Sequence, residues 1–146
     1  MASAVSLGFV LTVSLSTLIP QVGTGAYYRQ GLLGTVCERR KAMGWYPPGA
    51  TLDCDFPCLM SDIFSRTSIG EYRKVFLPGC NKVVVCHIVD TGMEVDYEWL
   101  KSKNEVGEFQ WDLVVDECGW NGYQEDVIVW PVQRPAPTRE FHLQHK

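Results

Sequence analysis

Six cysteines that follow an apolar leader, running from Cys37 to Cys118, constrain this chain more than any other feature. An even number of cysteines behind a leader predicts export and a disulfide framework built from Cys37, Cys54, Cys58, Cys80, Cys86 and Cys118. Zinc held by Cys54, Cys58, Cys80 and Cys86 is the weaker alternative, because zinc ribbons space their cysteine pairs more closely and occupy reducing compartments. Six cysteines admit many pairings, and spacing does not choose among them. One pairing is expected to be absent. Cys54 and Cys58 flank Pro57 so closely that they should bond different partners.

The leader itself carries no charge, the first charged side chain being Arg29. Its apolar run from Val5 to Val13 continues through Leu15, Leu18 and Ile19, stops at Pro20, and leads into Gly23-Thr24-Gly25-Ala26. Small residues after an apolar stretch predict a signal peptide over residues 1–26, with cleavage near Ala26. The run is interrupted by Ser and Thr, too short to span a bilayer. That leaves one disulfide-stabilised domain over residues 27–130 and a flexible proline-containing tail over residues 131–146, with Pro131, Pro135 and Pro137.

The domain reads as mainly β. Glu94 to Trp99 alternates strictly, with Val95, Tyr97 and Trp99 on one side and Glu94, Asp96 and Glu98 on the other. Gly107 to Val115 repeats the pattern. Lys82 to Val89 carries the β-branched run Val83-Val84-Val85, and Tyr72 to Leu77 and Val127 to Trp130 are further strands. Short turns at Pro78-Gly79, Asp90-Thr91-Gly92 and Lys103-Asn104-Glu105 then describe an antiparallel meander with a loop-rich N-terminal part. Ala50 to Ile69 reads as an irregular loop, with one short turn at Ser61 to Ser65.

Charge is unevenly spread over a net −4. Tyr27 to Cys86 carries +3, His87 to Trp130 carries −9, and the tail carries +2. The acidic stretch predicts a face built on Glu94, Asp96 and Glu98 that suits a basic partner surface. No basic stripe with interleaved aromatics is present, so nucleic acid is not an expected partner.

Nothing in the sequence points to catalysis. His142 and His145 lie in the tail, and His87 sits within a strand after Cys86. No nucleophile elbow, zinc-binding helix motif, phosphate loop or calcium loop occurs. No Asn-x-Ser/Thr acceptor occurs either. The expectation is a secreted, monomeric, non-enzymatic protein without cofactor, metal or membrane span. Two aromatic loops, Trp45-Tyr46 before Pro47 and Trp120 with Tyr123, are the candidate partner contacts, since loop aromatics make good anchors.

Cys37, then Gly44-Trp45-Tyr46-Pro47-Pro48-Gly49-Ala50, then Cys54-Asp55-Phe56-Pro57-Cys58 and Gly79-Cys80 together resemble the opening of a von Willebrand factor type C module. The pattern is also similar to small cysteine-rich salivary proteins of ticks. The resemblance implies an extracellular binder or inhibitor acting on a host complement component, protease or chemokine. A structural protein of an extracellular or shell matrix, or a venom component, would carry the same general features.

Overall fold

The β-branched run Val83-Val84-Val85 does form a strand, and the fold is arranged around it. The computed structural model describes residues 19–63, 65–122 and 125–131. Six strands follow in chain order: β1 (Gln21–Tyr27), β2 (Leu59–Asp62), β3 (Tyr72–Leu77), β4 (Lys82–Thr91), β5 (Glu105–Phe109) and β6 (Glu125–Pro131). They close into a barrel in the order β1-β5-β2-β4-β3-β6 and back to β1. Among the described strands, closure leaves no unpaired sheet edge.

The fold is therefore mainly β and disulfide-stabilised, but it is a barrel and not a meander. Only β3 and β4 are both sequence neighbours and sheet neighbours, joined through the turn at Pro78–Cys80. Two contacts are parallel, β1 with β5 and β2 with β4, and parallel pairs need long connections that hairpin punctuation does not announce. Alternate residues of the strands fill the interior: Val75 and Leu77, Val127 and Val129, Gly107 and Phe109. In β4 every residue from Val84 to Asp90 is buried, because one face lines the barrel and the other is covered.

The end of the expected leader belongs to the barrel. β1 pairs with β6 on one side and β5 on the other, so residues 21–26 are integral to closure. The small residues that read as a peptidase site serve close backbone approach instead. A Cβ on Gly25 would lie 2.7 Å from the Phe109 ring, and one on Gly23 would lie 2.4 Å from the Asn104 carbonyl oxygen. A cut near Ala26 would remove this strand, which moves the domain boundary upstream of Gln21.

Three further expectations change. The stretch after Arg29 is not loop but helix α1 (Leu32–Met43), bounded by Gly31 and Gly44, both at positive φ. Gly44 ends it in the left-handed conformation, its N–H bonding the carbonyls of Arg40 and Lys41. The alternating segment is a 3-10 turn at Glu94–Asp96 running into the short helix α2 (Tyr97–Ser102), with Val95 79% and Trp99 55% exposed. Only Leu100 of α2 is buried, so the alternation recorded no buried face. The strand expected over Gly107 to Val115 stops at Phe109, and Asp112–Glu117 forms a π-helical turn. Within residues 50–69, Ser61 and Asp62 belong to β2, and a 3-10 turn forms at Arg66–Ser68. The tail from Val132 onward lies outside the described residues.

The disulfides are Cys37–Cys54, Cys58–Cys86 and Cys80–Cys118, so Cys54 and Cys58 do bond different partners. Cys37–Cys54 holds α1 to the segment before β2, and Cys58–Cys86 crosses between β2 and β4. Cys80–Cys118 ties the β3–β4 turn to the π-helical turn. Each bridge restricts the unfolded chain by roughly 3 kcal/mol or more.

Because β1 is needed for closure, the amino terminus of protein recovered from culture medium should lie at or before Gln21. Edman sequencing checks this, and a terminus at Tyr27 would contradict it.

Candidate functional site

The barrel register brings together two carboxyls that lie far apart in sequence. Ser61 on β2 pairs with Glu108 on β5 and with Asp90 on β4, so the three side chains share one face. Two strand spacings separate Glu108 from Asp90, roughly 10 Å between their Cα atoms. α1 lies beside this row, and the chain leaving β1 adds Tyr28. Between α1, the ends of β4 and β5, and α2 is a cleft of about 660 Å³.

Asp90 is the floor of the cleft, only 7% exposed, and among the described residues its side chain accepts hydrogen bonds from Tyr28 and Arg40. The Tyr28 hydroxyl donates to Oδ2 at 2.7 Å, and Arg40 Nε donates to Oδ1 at 2.9 Å. A second Arg40 nitrogen also reaches Oδ1. Burial pushes the Tyr28 hydroxyl well above its usual pKa, and the negative charge of Asp90 adds to this. Tyr28 therefore keeps its proton and is a fixed hydrogen-bond donor to Asp90. Glu108 is half-buried, and burial, with the negative charges of Glu105 and Asp90, pushes its carboxyl up to about 7 against the opposing pull of Lys103. It holds a proton near neutrality. The Thr91 hydroxyl, also lining the cleft, is buried with no hydrogen-bond partner.

The walls are apolar. Met43 at the end of α1 and Met93 after β4 are 70% and 68% exposed at the mouth. Trp99 of α2 has one face covered by the Lys103 ammonium, 3.4 Å from the ring centroid. The side chain remains 55% exposed. Trp45 differs: the guanidinium carbons of Arg40 and Arg66 lie 3.7 and 4.0 Å from its ring. Two guanidinium groups so near one centroid take opposite faces, since on one face they would overlap, and Trp45 presents only its edge to the cleft.

The residues singled out from the sequence scatter. Trp45 and Asp96 line the cleft, and Tyr46 packs partly buried against the core. Trp120 is 5% exposed, set edge-on to Phe109 at 6.2 Å, and is a core residue and not an anchor. Glu94, on the turn before α2, and Glu98, within α2, are exposed but form no strand face. Tyr123 lies outside the described residues. Sequence reasoning missed Tyr28, Asp90, Thr91, Trp99 as a wall, and Glu108. One signal was present for Asp90: a carboxylate closing the mostly apolar run Val83 to Val89, whose only other polar side chain is His87, needs a partner once the strand is buried.

All six cysteines are in disulfides, and among the described residues no group of three or more His, Cys, Asp or Glu side chains is placed to hold a metal ion. His87 is fully buried behind the Cys58–Cys86 bridge and stacks on Tyr72 at 4.4 Å. Its Nε2 accepts from the Asp53 backbone N–H at 3.2 Å, and its Nδ1 is unpartnered. Burial lowers its pKa to about 4, against weaker upward pulls from the Glu71 carbonyl and the Asp53 carboxylate. It is a structural acceptor away from the cleft.

His87 and Glu108 should tilt stability in opposite directions. Between about pH 6.5 and 4 the unfolded chain takes a proton that native His87 refuses, so stability falls on acidification, by about 3 kcal/mol in total. Between about pH 4.5 and 7 native Glu108 keeps a proton that the unfolded chain has released, so stability falls as pH rises. Thermal unfolding against pH should show Glu108→Gln losing the decline toward neutrality and His87→Gln losing the acid-side slope. Parallel curves for wild type and both variants would contradict the assignment.

No protein-family model matches the chain, and no curated protein matches it at a significant level.

Proposed function

We propose that this is an extracellular binding protein that takes a segment of a carbohydrate chain into the cleft between α1 and α2. A leader and three disulfides support the compartment. The observation that carries the ligand class is the largely exposed Trp99 in the wall of a cleft whose floor has polar groups to spare, the Thr91 hydroxyl and the Glu108 carboxyl. A sugar ring has the complementary form, an apolar face edged by hydroxyls, and it fits a concave site with apolar walls and few polar groups. A flat protein partner would need exposed aromatic anchors, and with Trp120 in the core the loop patch that favoured an inhibitor loses its second anchor.

Screening the purified protein on a glycan array should give a defined set of binders. Trp99→Ala should weaken them about tenfold while the thermal midpoint stays unchanged, as expected for a lost ring contact on an exposed wall. Absence of any glycan binding, or unchanged binding by Trp99→Ala, would refute the proposal.

A second reading follows from one observation, that the Glu108 carboxyl, in a cleft it shares with Asp90 and Asp96, is pushed up to about 7. A carboxyl that keeps its proton among other carboxyls suits cleavage of a glycosidic bond. Glu108 would give its proton to the bridging oxygen as the bond to the anomeric carbon breaks. The Asp90 carboxylate would oppose the positive charge on that carbon, and water would add its hydroxyl while returning a proton to Glu108. Release of reducing ends from a bound glycan should fall above pH 7 and vanish in Glu108→Gln, with binding retained. Activity that persists in that variant would exclude Glu108 as the acid.

A further inference from the structure

Four groups lie in a row along the α1 wall: Asp90, Arg40, Trp45 and Arg66. Arg40 spends its charge on Asp90 and holds its guanidinium over one face of Trp45. Arg66, on the 3-10 turn Arg66–Ser68, covers the other face. It is exposed, and among the described residues neither it nor Arg39 at the cleft mouth forms an ion pair. We propose that Arg66 is an anion subsite just beyond the cleft, and that the ligand is an acidic polysaccharide whose carboxylate it receives. This inference rests on the carbohydrate reading above.

Stacking is what separates Arg66 from an ordinary surface cation. An unrestrained arginine loses rotamer freedom when it grips a ligand. One already held over an indole has lost part of it, and its fork of N–H donors remains for a bidentate carboxylate. The order of the row also sets the ligand's size. Arg66 stands on the far side of Trp45 from Arg40, so a molecule that fills the cleft and reaches Arg66 must run past the indole edge, as a chain does and a single sugar does not. Arg39 supplies a second unmatched cation at the mouth. The net charge of −4 works against an anionic ligand at long range, but in physiological salt that field is screened within about 8 Å, leaving the local contact to decide.

The test uses hexagalacturonate and its carboxyl-reduced, neutral counterpart, titrated calorimetrically into the whole protein at low and physiological salt. Wild type should bind the acidic form about tenfold more tightly, in line with one charge-assisted bidentate pair. Arg66→Gln should lose that preference while its affinity for the neutral form stays within about twofold. Arg66→Lys, which keeps the charge and loses the planar fork, should fall between them. Lys74→Gln on β3 makes the same change in net charge and should keep the preference. A preference that survives Arg66→Gln, that disappears equally in Lys74→Gln, or that favours the neutral form in wild type would overturn the subsite. A protein that binds neither these oligomers nor any glycan on the array loses the carbohydrate reading first, and the subsite with it.

Discussion

The ion pair between Arg40 and Asp90 is the interaction on which the site depends. Taking two charges out of water costs several kcal/mol each, and attraction offsets that only where the remaining hydrogen-bonding capacity is filled. Here Tyr28 fills it. The pair matters because α1 has little else to seat it. Only Leu33 and Cys37 of its twelve residues are buried, which is no apolar stripe. Cys37 and Arg40 are three positions apart and so share a face, one tied to Cys54 and the other to Asp90. A covalent bond and a charge pair thus do for this helix what hydrophobic packing does for most. Losing either partner of the pair would strand the other's charge, at a cost of about 3–5 kcal/mol. It would also free the guanidinium that backs Trp45.

What the pair fastens to is set by the barrel. Parallel pairing of β2 with β4, and antiparallel pairing of β2 with β5, aligns Glu108, Ser61 and Asp90 across three strands. Neither hairpins nor a meander would bring β2 between β4 and β5. β1 closes the circle, and its end is held when the Tyr28 N–H donates to the Phe109 carbonyl at 3.0 Å. That bond delivers the Tyr28 hydroxyl to Asp90. Gly25 makes the approach possible, because the ring of Phe109 occupies the space a side chain there would need. Barrel closure and the chemistry of the cleft therefore share residues.

The sequence was legible where side-chain periodicity coincides with burial. β3, β4 and β6 were visible as β-branched or alternating runs, and the even cysteine count behind an apolar stretch pointed to a disulfide framework. It was illegible where other forces act. α1 showed no amphipathic stripe because its anchors are a cysteine and an arginine, and neither registers as an apolar period. α2 imitated a strand because Val95, Tyr97 and Trp99 alternate with acids, yet Val95 and Trp99 are exposed, so their hydrophobicity reports no core. β1 was hidden in the leader, where small residues fit both a peptidase and a tight barrel. The carboxyl row was out of reach for a different reason: residues 61, 90 and 108 meet only through parallel register, which no local pattern encodes. Trp45 was found for its turn chemistry, although both its faces turn out to be taken.

The two walls of the cleft are held by very different forces. The α1 wall is fixed by a disulfide, an ion pair and an indole between two guanidinium groups. The α2 wall rests on Leu100 and on Gly92, whose backbone lies so close to Ile63 that an added Cβ would come within 2.6 Å of its carbonyl oxygen. Beyond those contacts, Met93, Val95 and Trp99 leave apolar surface in water. A ligand placed against Trp99 removes that surface from solvent at about 25 cal/mol per Å². On the carbohydrate binding proposed above, binding energy would come chiefly from the wall that folding left uncovered, and direction from the polar groups of the floor, Thr91 and Glu108, and from Arg66 beside Trp45.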